Sequence, residues 1–267
     1  MAYARIGDID IHYELADYTP PWRASETVLL HHGFARNMAF WQAWVPLLAG
    51  DYRVLRFDSR GCGRTTVPPP GVAYTLDGLV DDALGLMDAL GIERVHWAAE
   101  ASGGHVGLAL ALRHPERVLS LTLCNTPFRL PQATNDLFVP DEVRKHGLGS
   151  WARKTLHNRI DVDKIDPGWI EWSTAQFDQV PPHAAIAQHE MIAQGDLFPR
   201  LPRMTRPVLV MAGAASKIAP REQMEQMQAQ LPQAKLVLLE GYGQGIAFMA
   251  PERCVAEMKA FIASVSP

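Results

Sequence analysis

The segment Val95-His-Trp-Ala-Ala-Glu-Ala-Ser-Gly-Gly-His-Val-Gly-Leu-Ala-Leu-Ala-Leu112 constrains the fold more than any other part of the chain. A β-prone apolar run enters a turn of small residues and leaves at once as an apolar helix. A turn that sharp strains the backbone at its apex, and side chains two residues to either side would collide with it. Ala99 and Gly103 flank Ala101 in that way and leave the space open. The unit predicts a buried strand feeding a helix, with the turn exposed at the strand's carboxyl end, where open α/β sheets carry their sites.

The rest of the chain repeats the theme. Strands are expected at Ala2–Ile6, Ile9–Glu14, Thr27–His31, Arg53–Phe57, Val95–Ala99, Val118–Cys124, Val208–Ala212 and Lys235–Leu239, alternating with helical stretches. Thr75–Leu90 places Leu76, Leu79, Val80, Ala83, Leu86, Met87 and Leu90 on one helix face, and Gly91 ends it. The fold class is therefore α/β, a mostly parallel eight-stranded sheet with helices on both faces. From Pro127 to Arg206 the pattern changes to helical segments with Pro and Gly breakers and Trp151, Trp169 and Trp172. Strand signals resume after Arg206-Pro207. Residues 127–201 are thus expected to form a helical cap inserted into a core made of 1–126 and 202–267.

Charge and apolar patterning exclude several partners. The chain has 25 Lys+Arg against 29 Asp+Glu, a net charge of −4, and no basic run able to neutralise several phosphates, so nucleic acid is not expected. The longest apolar stretches, such as Val106–Leu112 and Val208–Ala215, fall far short of the roughly 20 residues that span a bilayer. The first residues lack an apolar signal core, and Cys62, Cys124 and Cys254 are widely spaced, which points to the cytoplasm. A homodimer remains open.

Three further stretches accompany the turn: His31-His32-Gly33-Phe34, Asp58-Ser-Arg-Gly-Cys-Gly-Arg64 and Gly241-Tyr-Gly-Gln-Gly-Ile-Ala-Phe248. Together with it they resemble the α/β-hydrolase superfamily over nearly the whole chain. The His-His-Gly opening, Asn37, Trp41 and the phrase Lys145-His-Gly-Leu-Gly-Ser-Trp151 are most similar to the branch of 3-oxoadipate enol-lactonases and related small-lactone or ester hydrolases.

Active members of that superfamily carry a serine at the apex, a histidine before the last helix and an acid that orients it. The resemblance places those roles on Ala101, Gln244 and Ser216, or on Asn125 for the acid in some members, and none of these can attack, take a proton or carry charge. What the resemblance retains is a pair of oxyanion-hole donors, the backbone N–H groups of Phe34 and Ser102. The candidate catalytic positions are Ser102, Gln244 and Ser216. Phe34, Ala101, His32, Asn37 and Trp151 are the candidates for substrate contact.

Other groups read as structural. Glu100, next to the apex, is expected beneath the turn, held by backbone. His105 is expected as half-buried packing, Trp169 and Trp172 as packing, and Asp58, Arg60 and Gly63 as a structural loop from which Arg60 or Arg64 could meet an anionic substrate. His183 and His189 do not share a helix face, and no Cys or carboxylate stands at ligand spacing, so neither a metal nor a cofactor is expected. A small-molecule ligand is. Three functions follow: polarisation of a carbonyl or enol without a covalent intermediate, as in a lyase, decarboxylase, isomerase or cyclase; binding without turnover; or hydrolysis by an unusual nucleophile such as Ser102.

Overall fold

The computed structural model describes residues 1–265. Eight strands, β1 (Ala2–Ile6), β2 (Ile9–Ala16), β3 (Thr27–His31), β4 (Arg53–Phe57), β5 (Val95–Glu100), β6 (Val118–Cys124), β7 (Val208–Gly213) and β8 (Ala234–Leu239), form one sheet in the order β1-β2-β4-β3-β5-β6-β7-β8. The β1–β2 and β2–β4 pairs are antiparallel and the other pairs parallel. β3, β5 and β7 are buried along their whole length, which explains why they read as unbroken apolar runs instead of alternating ones.

Four strands run slightly beyond their sequence-expected ends, and pairing explains each. β2 continues to Ala16 because Leu15 and Ala16 pair with Leu55 and Val54. β5 takes in Glu100, opposite Cys124, and β7 and β8 pair from Val208↔Ala234 to Gly213↔Leu239. A buried carboxylate closing a central strand is not something an apolar pattern announces.

Helix α1 (Leu76–Ala89) is capped by Thr75, whose hydroxyl accepts the Gly78 N–H at 3.0 Å, and the chain leaves it through Gly91 at φ 63°. Helix α2 (Ser102–Arg113) starts directly from the turn after β5 and lies close on the sheet. The Trp97 indole occupies the space where a side chain on Gly107 would stand, and it donates to the Gly103 carbonyl at 3.2 Å.

Between β6 and β7 the chain forms α3 (Pro140–His146), α4 (Leu148–Lys154), α5 (Pro167–Asp178) and α6 (Pro182–Gln194). The described residues there make no strand beyond a single bridge, Arg129↔Asp196. Asp178 accepts the Gly149 N–H at 2.9 Å, joining the end of α5 to the start of α4 where a helix favours negative charge. This helical segment is tied to the loops after the strands: Asn37 donates to Gln176 at 2.8 Å and His183 donates to the Pro68 carbonyl at 3.0 Å. Helices α7 (Arg221–Gln230) and α8 (Pro251–Val265) complete the chain around β8. The crevice between the strand ends and the helical segment holds the candidate site.

Candidate active site

The turn after β5 takes the strained form that its small residues foretell. Ala101 sits at φ 48° and ψ −120°, a left-handed position that costs a residue with a Cβ about 1–2 kcal/mol. The neighbours hold it there. Its N–H donates to the Cys124 carbonyl, and its own carbonyl accepts from the Gly104 N–H and the Thr126 hydroxyl, all at 3.0 Å. A Cβ on Gly103 would stand 2.6 Å from the His31 and His32 carbonyl oxygens, so the β3 loop and the turn can meet only over a glycine. At the apex the group facing the crevice is a methyl.

Opposite the turn, the β3 loop is fixed by its two histidines. His31 donates through Nδ1 to the His32 carbonyl at 2.8 Å and accepts the Ser59 hydroxyl at Nε2, 3.1 Å away. His32 donates through Nδ1 to the Gly33 carbonyl at 2.8 Å and accepts the Ser59 N–H at 3.0 Å. Both rings are spent on holding the loop, and burial pulls the His31 imidazole down to about 3, with the His32 ring a secondary cause. Burial lowers His32 as well. His32 therefore lies along a small side crevice with His31, Ser59 and Ser102, and not on the main cavity wall. Asn37 also lies away from that cavity: its side chain caps the turn at Met38–Trp41 by accepting the Ala39 N–H at 3.0 Å and reaches Gln176. Both residues position the loop: each ring nitrogen of His32 and each polar atom of Asn37 already has a protein partner.

Phe34, from the loop, and Ser102, from the turn, line the same cavity, and among the described residues neither backbone N–H finds a protein acceptor. Ser102 opens α2 and lines both the main cavity and the side crevice, and among the described residues no imidazole holds its hydroxyl. The Ser59–His31 pair is the serine–imidazole contact nearest the turn. It lies in the side crevice, and its ring is far too weak a base near neutral pH to take a proton from a hydroxyl.

On the far side of the cavity, Ser216 and Gln244 meet, although 28 positions separate them. The Ser216 hydroxyl donates to Gln244 Oε1 at 2.6 Å and accepts the Ala219 N–H at 2.9 Å. Gln244 Nε2 donates to the Asn125 carbonyl at 3.2 Å. Gln244 reaches the cavity wall, while Ser216 stands behind it. The chain of contacts ends on amides, so no proton can leave through it.

The cavity encloses about 780 Å³ of atom-free space including its mouth. Its walls are largely apolar, with Phe34, Leu137, Phe138, Trp151, Phe177 and Ile218 among them. Three charged side chains also line it, and sequence reading passed over the two arginines. Arg36 and Glu100 form an ion pair with both partners buried, so Glu100 is held by a guanidinium instead of by backbone, and its Oε1 has no partner. Gly33 is required where the loop crosses, because a Cβ there would fall on the Glu100 carboxylate. Arg159, from the irregular stretch after α4, packs its guanidinium 4.4 Å from the Trp151 ring centroid. His105 is fully buried at the wall, where it donates to the Pro127 carbonyl, and His189 stacks on Phe138 at 4.0 Å with its imidazole pulled by burial to about 4.

Arg60 is not an anion receptor. Its guanidinium is held by both oxygens of Asp82, at 2.5 and 2.6 Å, and Arg64 is exposed. Asp58 accepts the Met38 and Arg64 N–H groups at 2.7 and 2.9 Å and binds His12 at 2.8 Å, as a structural loop would. Trp169 and Trp172 pack around Phe40. Nothing in the spacing of Arg36 or Arg159 marks them in the sequence. Glu100 had one usable signal, its place beside the apex.

The model of the alpha/beta hydrolase fold family matches residues 26–249. A relative from Caulobacter vibrioides, named as a carbamate hydrolase, RutD, is 29% identical over 264 residues, covering 94% of this chain and 95% of its own. The solved enol-lactonase from Burkholderia xenovorans LB400 superposes with a TM-score of 0.89 at 25% identity, over 98% of this chain and 99% of that one. A hydrolase from Pseudomonas aeruginosa PA01 gives 0.88 at 28% identity, over 98% and 97%.

Proposed function

This chain belongs to the alpha/beta hydrolase fold family, and on that premise we propose that it binds a small carbonyl, lactone or enol compound under a helical cap and acts on it without forming an acyl-enzyme. The observation that carries this reading is the pairing of Ala101 at the strained apex with free N–H groups on Phe34 and Ser102 beside it. A carbonyl oxygen seated on those two donors is polarised, and donors fixed in a water-poor cavity stabilise developing negative charge without reorganising. No group at the apex can attack the carbonyl carbon. The chemistry open to such a site is that of an enolate or its equivalent: decarboxylation, elimination, isomerisation or cyclisation. The relatives named as a carbamate hydrolase and an enol-lactonase support a small acyl or enol substrate.

A panel of small enol-lactones, β-keto acids and phenolic acids, followed by proton NMR alongside intact-protein mass spectrometry, tests the reading. The expected result is conversion of one class with the protein mass unchanged throughout. Stoichiometric attachment of a fluorophosphonate to Ser102 or Ser59 would replace the proposal with a hydrolase of unusual nucleophile. Saturable binding with no conversion would make the protein a small-molecule carrier or sensor.

A further inference from the structure

The cavity charges do not balance. Arg36 and Glu100 neutralise one another. Arg159 is 7% exposed, and among the described residues no carboxylate lies within 4.0 Å of it. Its hydrogen bonds go to neutral oxygens, the Thr155 hydroxyl at 2.7 Å and the Ala152 carbonyl. The two histidines on the wall are kept neutral by burial. A site lined mainly by aromatic and aliphatic groups therefore holds one uncompensated positive charge.

Removing a guanidinium from water without a counter-ion is among the costliest arrangements a fold can keep. Burial, with a smaller push from Arg36, pulls Arg159 down to about 9, so the charge is present at neutral pH but disfavoured. Stacking on Trp151 at 4.4 Å and Phe177 at 5.2 Å offsets part of the cost, since a cation is attracted to the faces of aromatic rings. Those same rings line the cavity, so they hold the guanidinium at its wall. A carboxylate pairs with a guanidinium through two parallel hydrogen bonds, and walls that are otherwise apolar suit a singly charged anion on a flat or aliphatic body better than a more heavily charged phosphate.

We propose that Arg159 is an anion-binding residue and that the ligand of this cavity is a small monocarboxylate with an aromatic or apolar body, its carboxylate on Arg159 and its second carbonyl on the Phe34 and Ser102 donors. The inference rests on the reading that the cavity takes a small carbonyl compound, and not on whether that compound is turned over. It also separates the two arginines: the charge of Arg36 is matched by Glu100, and that of Arg159 is left for the ligand.

Isothermal titration of the full chain with 4-oxo-4-phenylbutanoate, and with its neutral primary amide, tests it. The keto acid should bind native protein about 10- to 100-fold more tightly than the amide, the range expected for a charged hydrogen-bonded contact. Arg159→Gln should abolish that preference by weakening the acid far more than the amide, while Arg159→Lys should keep most of it, with thermal melts showing that both variants fold. Equal binding of acid and amide by native protein overturns the inference even if neither variant can be made, and leaves the cavity reading standing. An Arg159→Gln protein that still prefers the acid overturns it too. Failure of native protein to bind either compound counts against the cavity reading itself.

Discussion

The two sides of the crevice meet at Ala101 and differ in what carries their chemistry. On the elbow side the proposed functional groups belong to the backbone: two N–H donors, on a strained turn and on a loop locked through His31 and His32. On the relay side any function would have to come from side chains, and Ser216, Gln244 and Asn125 offer only a hydroxyl and amides. Substitution cannot remove a backbone N–H short of proline, whereas one codon removes an acid or a base. A fold can therefore keep its means of polarising a carbonyl long after it has lost the means of attacking one.

The largest test of that contrast is to rebuild the relay. In A101S/S216D/Q244H two of the new side chains occupy positions already in contact and the third lines the same cavity, and esterase activity on p-nitrophenyl acetate should rise at least ~10³-fold over native protein if the Phe34 and Ser102 N–H groups serve as proposed. A101S alone should stay near the native rate. A vigorous esterase from the single change would show that a base other than position 244 serves the site.

Acid should strike the elbow side and spare the relay. His31 is neutral in the fold with its value near 3, against an ordinary 6.5. As pH falls below 6.5 the unfolded chain takes up a proton that the folded one refuses, so stability declines toward pH 3 by up to about 1.4 kcal/mol per pH unit from this residue. Urea titrations across pH should show the slope, and His31→Gln should lessen it by this residue's share, the buried His32, His105 and His189 keeping the rest. Ser216→Ala should leave it unchanged.

Gly103→Ala pushes a methyl against the His31 and His32 carbonyls and should cost about 3 kcal/mol in a urea titration at neutral pH. On the relay side Ser216→Ala strips one partner each from Gln244 and the Ala219 N–H, and should cost only about 1–2 kcal/mol. A reversal of that order would mean that the relay side holds the architecture together.

The sheet, α1 and the strained turn were legible because small residues and apolar runs encode them locally, and β1, β3, β4 and β6 match their expected spans residue for residue. Ser216 and Gln244 were paired by family resemblance across 28 positions, and they touch. The charged lining was not legible. Arg36 looks like any loop residue until Glu100 comes up beneath it, and Arg159 sits in a stretch with no period. Burial of a charge is a property of tertiary packing, which no local pattern records. The hydrogen bonds of His32 and Asn37 were hidden for the complementary reason, since backbone and Gln176 meet their polar atoms only once the loop is folded.

Carbon-13 NMR of 4-oxo-4-phenylbutanoate labelled at its keto carbon and bound to native protein reads the site at the atom in question. A downfield shift of a resonance that remains in the ketone range, and that weakens when Phe34 is replaced by proline, is the expected outcome. A new resonance in the tetrahedral range would mean that a protein oxygen has added to the carbonyl, and that a nucleophile exists where the structure shows only a methyl.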